Sequence, residues 1–157
     1  MLGTAPWRRA PLLLRRSPAV LLAVRERTVR LAVRENVALP VRLRLGPWRA
    51  TDGRTEELLG LFGLAELADR SPSETSLGQQ QRAAVARALV LTPQLVLADE
   101  PSAHQDAAWV HDVFAALRQV VHDRGAACLV ATHDPDALRF ADRVLHLADG
   151  ELSERST

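Results

Sequence analysis

The sequence predicts an α/β fold in which parallel strands are joined by helices. Three observations carry this expectation. Residues 95–98 and 126–132 are short apolar runs without alternation, the pattern of strands buried on both faces. Between them, residues 107–123 carry an apolar stripe of Val110, Val113, Phe114, Leu117, Val120 and Val121, long enough for the crossover helix that makes flanking strands parallel. Both runs end in reactive side chains: Asp99 and Glu100 after the first, His133 after the second. In open α/β sheets ligands gather at the carboxyl ends of such strands, and two adjacent acids there serve a cation or a proton transfer unless they are plain surface residues.

At 157 residues the chain suits one domain. Its 47% hydrophobic and 25% charged residues are those of a globular protein, and no apolar run nears the ~20 residues of a membrane span. The single cysteine, Cys128, excludes an internal disulfide and reads as a small buried hydrophobe. The net charge of +1 hides an asymmetry. Residues 1–54 hold 12 arginines and 3 acids; residues 55–157 hold 8 arginines and 16 acids. Every basic residue is arginine, and there is no lysine.

Residues 1–34 form a basic leader, expected to be poorly ordered. Arg15, Arg16 and Pro18 interrupt its apolar stretches, which excludes a secretory signal. The leader's charge would suit an anionic surface, lipid or RNA, although Trp7 and Trp48 are isolated and no aromatic interleaving supports nucleic acid. Residues 35–92 read as a helical segment. Glu35, Asn36 and Val37 start a helix that Pro40 kinks or ends, and Gly46, Pro47, Asp52 and Gly53 mark a loop. A short helix with Leu58, Leu59 and Phe62 on one face then ends at Gly63, and a second helical turn follows over residues 64–70.

A stronger helix runs over residues 76–91. Ser76 and Gln79 have the spacing of a capping box, which accounts fully for Ser76. The alternative is that this N-terminus binds a phosphate, with Gly78 allowing close backbone approach. Residues 93–157 supply the α/β part. Pro93 breaks the helix, the acidic strand follows, and Asp106 caps the crossover helix that Gly125 ends. His111 and His122 lack a third ligand at metal spacing and read as solvated. Asp134 and Pro135 read as N-cap and first residue of another helix, and Asp149-Gly150 turns a terminal hairpin.

Taken in order, these motifs resemble the ATP-binding subunit of ABC transporters, from about Glu35 to Leu152. Residues 75–82, Thr-Ser-Leu-Gly-Gln-Gln-Gln-Arg, resemble the signature and its tail; residues 95–100 resemble the Walker B strand; Ala103, His104, Gln105 and Asp106 sit where the D-loop follows; residues 131–134 resemble the switch-histidine segment. Residues 35–37 and the terminal hairpin resemble the branch serving lipoprotein release and macrolide export. The resemblance implies the C-terminal part of a P-loop NTPase fold with a helical signature subdomain. It implies ATP and Mg²⁺ as cofactors, Asp99 as metal ligand, Glu100 as general base and His133 as a contact to the γ-phosphate. Ser76, Gly78 and Gln79 would reach the ATP of a second subunit, and Asp106 would link the two sites. The implied partners are a second ABC ATPase subunit, identical or not, and an integral-membrane permease, with no nucleic acid; the implied location is the cytoplasmic face of the cell membrane.

Departures from the family pattern limit the expectation. Without lysine there can be no Gly-x-x-x-x-Gly-Lys-Ser/Thr loop, the phosphate cradle of these enzymes. No glutamine precedes Gln79, so the Q-loop glutamine is missing as well. Leu77 stands where the signature has a glycine and Thr75 where it has a leucine, while Gln105 replaces an apolar D-loop residue. The expectation is an N-terminally truncated ATP-binding subunit, unable to bind or hydrolyse ATP alone. The alternatives are a non-catalytic module pairing with an intact ATPase, and a decayed fragment with a basic surface-binding segment. Truncation would leave sheet edges and apolar surface exposed.

Overall fold

The computed structural model describes residues 20–22, 30–45, 52–103, 107–123 and 125–155. In chain order these hold β1 (Val20–Leu22), α1 (Val33–Leu45), α2 (Asp52–Leu61), α3 (Leu77–Leu89), β2 (Leu95–Asp99), α4 (Ala107–Asp123), β3 (Ala127–Ala131), β4 (Val144–Ala148) and β5 (Glu151–Arg155). Short 3₁₀ turns at Ala65–Leu67, Pro72–Glu74 and Pro135–Phe140 complete the order.

The expected parallel sheet is present. Its order is β1-β2-β3, with both pairs parallel and β2 in the centre. Three consecutive residues of the basic leader thus depart from the expectation of poor order: Val20 aligns with Val96, Leu21 with Leu97 and Leu22 with Ala98. The apolar run at residues 19–24 is too short for a signal core but long enough for a three-residue strand. Residues 1–19 and 23–29, with the rest of the leader's sequence expectations, lie outside the described residues.

Pro40 does not end α1, which continues to Leu45. Proline removes one rung of the helix ladder. Burial of Val33, Val37 and Val41, on one face at four-residue spacing, offsets that loss. Asn36 is 1% exposed, and its side-chain amide donates to the carbonyls of Leu31 at 2.7 Å and Ala32 at 3.3 Å, which ties the chain entering α1.

One apolar core crosses from the helical segment into the sheet. It includes Val37 of α1, Leu58 and Leu59 of α2, Val85 and Leu89 of α3, Val96 of β2, and Leu117 and Val120 of α4. The helices cover the sheet face presented by Val96, Cys128 and Val130. Cys128 is half-buried there, and burial pushes its thiol up to about 11. The opposite face differs from the sequence expectation of strands buried on both sides. Leu95 and Leu97 are only half-buried, and Ala127, Leu129 and Ala131 of β3 are exposed, Leu129 by 59%.

Arg82 closes the junction of α3 and α4. It is 5% exposed, and its guanidinium carbon stands 3.6 Å from the centroid of the Trp109 ring. Nε and Nη1 have no hydrogen-bond partner among the described residues, and the ring face supplies compensation for burial. Desolvation pulls the Arg82 pKa down from its ordinary value, opposed by Asp112, and the group stays cationic. Gly63, at φ +62°, lies under the same ring: a Cβ there would stand 2.7 Å from Trp109 Cη2. The terminal hairpin forms a separate two-stranded sheet, turned by Asp149 at φ +51° and Gly150 at φ +82°, both in the left-handed region that a two-residue hairpin turn needs.

Candidate functional site

The register of β2 against β3 assembles the site. Asp99 aligns with Ala131, so Glu100 leaves the sheet beside Thr132 and His133. The Glu100 N–H donates to the Ala131 carbonyl at 2.8 Å, extending the ladder by one bond after the strand. Glu100 then turns with φ +47°, a conformation that costs a non-glycine residue about 1 kcal/mol or more. Pro101 and Ser102 behind it are buried. Ser102 donates from Oγ to Asp134 Oδ2 at 3.1 Å, which joins the two strand exits a second time.

That turn aims the Glu100 carboxylate across the strand ends. Oε1 lies 2.7 Å from His133 Nδ1 and accepts from the His133 N–H at 3.2 Å, while Oε2 accepts from Thr132 Oγ1 at 3.0 Å. Partial burial is the largest influence on Glu100 and raises its pKa, but the hydrogen bonds from His133 and Thr132 outweigh it and hold the carboxyl below its ordinary value. The hydrogen bond to Glu100 is also the main cause of a raised His133 pKa, with the charge of Glu100 next. The His133 side chain is 90% exposed. Binding through Nδ1 leaves Nε2 on the outer side of the ring for a further acceptor.

Asp99 is exposed at the end of β2. No group of three or more His, Cys, Asp or Glu gathers as a metal cage among the described residues. A single carboxylate fits a Mg²⁺ ion held mainly by phosphate oxygens and water, and does not fit an all-protein site. Asp106, with His104 and Gln105, lies outside the described residues.

Ser76 caps α3 as its spacing predicts. Ser76 Oγ accepts from the Gln79 N–H at 3.2 Å, and Gln79 Oε1 accepts from the Ser76 N–H at 2.8 Å. The two residues therefore satisfy each other's main-chain N–H groups. Gly78 is buried, and Leu77 beside it is 56% exposed, standing over the same helix end.

Two participants were missed by sequence reasoning. Thr132 lies within the switch segment but has no sequence pattern that marks it as a carboxylate donor. Gln81 reaches from α3 to the acid: its side-chain amide donates to the Glu100 main-chain carbonyl at 2.9 Å. Its position in the glutamine run of the signature tail was its only visible signal.

A family model described as ABC transporter matches residues 12–103, beginning well before the Glu35 at which the sequence resemblance was placed. The chain is 43% identical over 118 residues to the lipoprotein-releasing system ATP-binding protein LolD 2 of Caulobacter vibrioides, covering 75% of this chain and 52% of that protein. It is 45% identical over 119 residues to LolD of Maricaulis maris, covering 76% and 52%. The structure superimposes on the dimeric post-hydrolysis state of the ATP-binding cassette MJ0796 bound to ADP and Pi with a TM-score of 0.77 at 30% identity, covering 92% of this chain and 65% of that one. The chain thus spans about half the length of the curated relatives it matches.

Proposed function

The chain belongs to the ABC transporter ATP-binding family, and from that membership we propose that it acts as an ATP-binding subunit whose contribution is made in a pair, not alone. The observation carrying this reading is a joined Glu100–His133–Thr132 constellation beside Asp99, in a chain of 157 residues without a lysine. This constellation supports a reading as the acid and histidine half of a hydrolytic site. The lysine and glycine loop that would cradle the phosphates has no counterpart in the sequence. Phosphoryl transfer depends on positioning and charge stabilisation, so negligible turnover is expected from this chain by itself.

In the proposed role Asp99 would hold Mg²⁺, which would neutralise charge on the phosphates, and Glu100 would take the proton of an attacking water. His133 offers Nε2 to a terminal phosphate oxygen, a geometry that its Nδ1 contact with Glu100 supports. Ser76, Gly78 and Gln79 face the nucleotide of a second ATPase subunit, and Asp106 connects the two sites. ATP with Mg²⁺ supplies the phosphoryl group that such a pair cleaves. An integral-membrane permease is the remaining partner, which places the subunit on the cytoplasmic face of the membrane. No helix among the described residues is long and apolar enough to cross a membrane itself.

The test is a calorimetric Mg-ATP titration of the chain carrying Glu100→Gln, alone and mixed with the full-length Caulobacter relative. The expected result is no binding alone and ATP-dependent pairing in the mixture, strengthened by Leu77→Gly because the exposed leucine no longer crowds the phosphate. Tight binding by the lone chain would mean that its own residues build a phosphate site of another kind. Pairing that ignores both ATP and Leu77→Gly would overturn the subunit role.

A further inference from the structure

One hydrogen bond joins the helix that presents the signature residues to the acid of the same chain. Gln81 stands five residues after Ser76, about one and a half turns into α3. Its side chain is largely buried, and its Nε2 donates to the Glu100 carbonyl at 2.9 Å. The same carbonyl accepts the Ala103 N–H at 3.2 Å. Both bonds fall on the residue that leaves β2 in a left-handed conformation, φ +47°. A non-glycine residue stays in that region only where its surroundings hold it. On the other side of the same residue, the Glu100 N–H is held by Ala131. The acid is therefore clamped at its amide by the sheet and at its carbonyl by the helix.

We propose that Gln81 is the positioning residue for Glu100: it holds the strained backbone turn that points the carboxylate at Thr132 and His133. The inference rests on the proposed role of Glu100 and extends it to regulation. A displacement of α3 at its Ser76 end is transmitted through Gln81 to the turn. The nucleotide of a partner subunit, contacted at Ser76, thereby adjusts the acid of this chain. The coupling needs no contact between that nucleotide and Glu100.

Amide hydrogen exchange on the full chain without nucleotide tests the positioning step. Gln81→Met keeps the side chain's length and removes the donor. The expected result is that the amides of Ala103 and His133 exchange roughly three- to tenfold faster, the range one net hydrogen bond supplies. The Gln80 amide, which donates to Ser76, and the amides of α4 keep their protection. Gln81→Asn, which retains an amide but is one methylene shorter, is expected to give the same local pattern and serves if Gln81→Met fails to fold. Glu100→Gln separates the two links: it speeds exchange at His133 and leaves Ala103 unchanged, because the carbonyl bond survives. Unchanged exchange at Ala103 and His133 in the Gln81 variants, or uniform acceleration through α3, β2 and α4, would overturn the proposal. Because nucleotide is absent, this outcome is independent of whether the chain pairs in an ATP-dependent way.

Discussion

His133 and Glu100 form a pH-sensitive contact whose sign follows from their shifts. The His133 pKa is raised above its ordinary 6.5, so its contribution is complete below that value and lost as pH rises through the folded-state pKa. Glu100 is lowered from its ordinary 4.5, so its contribution is complete above that value and lost as pH falls through the folded-state pKa. The pair is strongest between these two ordinary values. Removing the carboxylate charge with Glu100→Gln is expected to bring the His133 titration, followed by NMR of the imidazole protons, back toward 6.5. A titration curve identical to wild type would mean that the contact is not formed in solution. The sequence pointed to both residues because each ends a strand, but their contact across 33 positions depends on strand register.

Two helix ends show how local chemistry and packing divide the work. At the start of α3, Ser76 and Gln79 cap each other, and Ser76→Ala is expected to lower stability by about 1 kcal/mol in urea unfolding. Gln79→Ala should cost less when Ser76 is already alanine, since the two bonds are reciprocal. A double-mutant cycle with no coupling would contradict the capping box. Beyond the end of α2, Gly63 has a second duty in addition to its φ of +62°. Gly63→Ala meets the rigid Trp109 ring at 2.7 Å while adopting a disfavoured backbone, and is expected to cost about 1–3 kcal/mol. Trp109→Ala in the same chain should recover part of that loss although it removes the partner of Arg82; additive losses would show that the backbone alone is responsible. The cap and the helix-ending glycine were legible in the sequence because each acts within a few residues. The Trp109–Arg82 stack over Gly63 was not, since it brings together three elements.

The helices and the three-stranded sheet share one main core, yet apolar side chains stay exposed on β3 and on the terminal hairpin. Leu129 of β3 is 59% exposed, Leu147 and Leu152 of the hairpin each 67%, and the last two face each other across the β4–β5 pair. Parallel strands are ordinarily covered on both faces, and an uncovered strand invites association. Leu147→Glu combined with Leu152→Arg replaces that apolar pair by opposite charges and is expected to reduce concentration-dependent association in light scattering without lowering the unfolding midpoint appreciably. Equal association of variant and wild type would place the sticky surface elsewhere. The order of elements was expected from the sequence, whereas exposed apolar surface was expected only as a consequence of truncation and the strands themselves read as buried on both faces. The strand at Val20–Leu22 and the passage of α1 through Pro40 were not expected. In both cases tertiary pairing or burial overrode a local signal that read as disorder or a break.

The sequence by itself determined the elements that depend on short-range rules: the apolar period of α4, the Ser76 cap, the Asp149-Gly150 turn and the placing of acids and histidine at strand ends. The absence of lysine was likewise legible there. Only the tertiary structure decided that β1 joins β2, that one sheet face stays uncovered, and that Gln81 reaches the Glu100 carbonyl while His133 reaches its carboxylate. The physical reason is range. Caps, turns and helix periods are settled by groups a few residues apart, whereas these contacts join residues whose meeting requires the sheet register and the helix packing to form together.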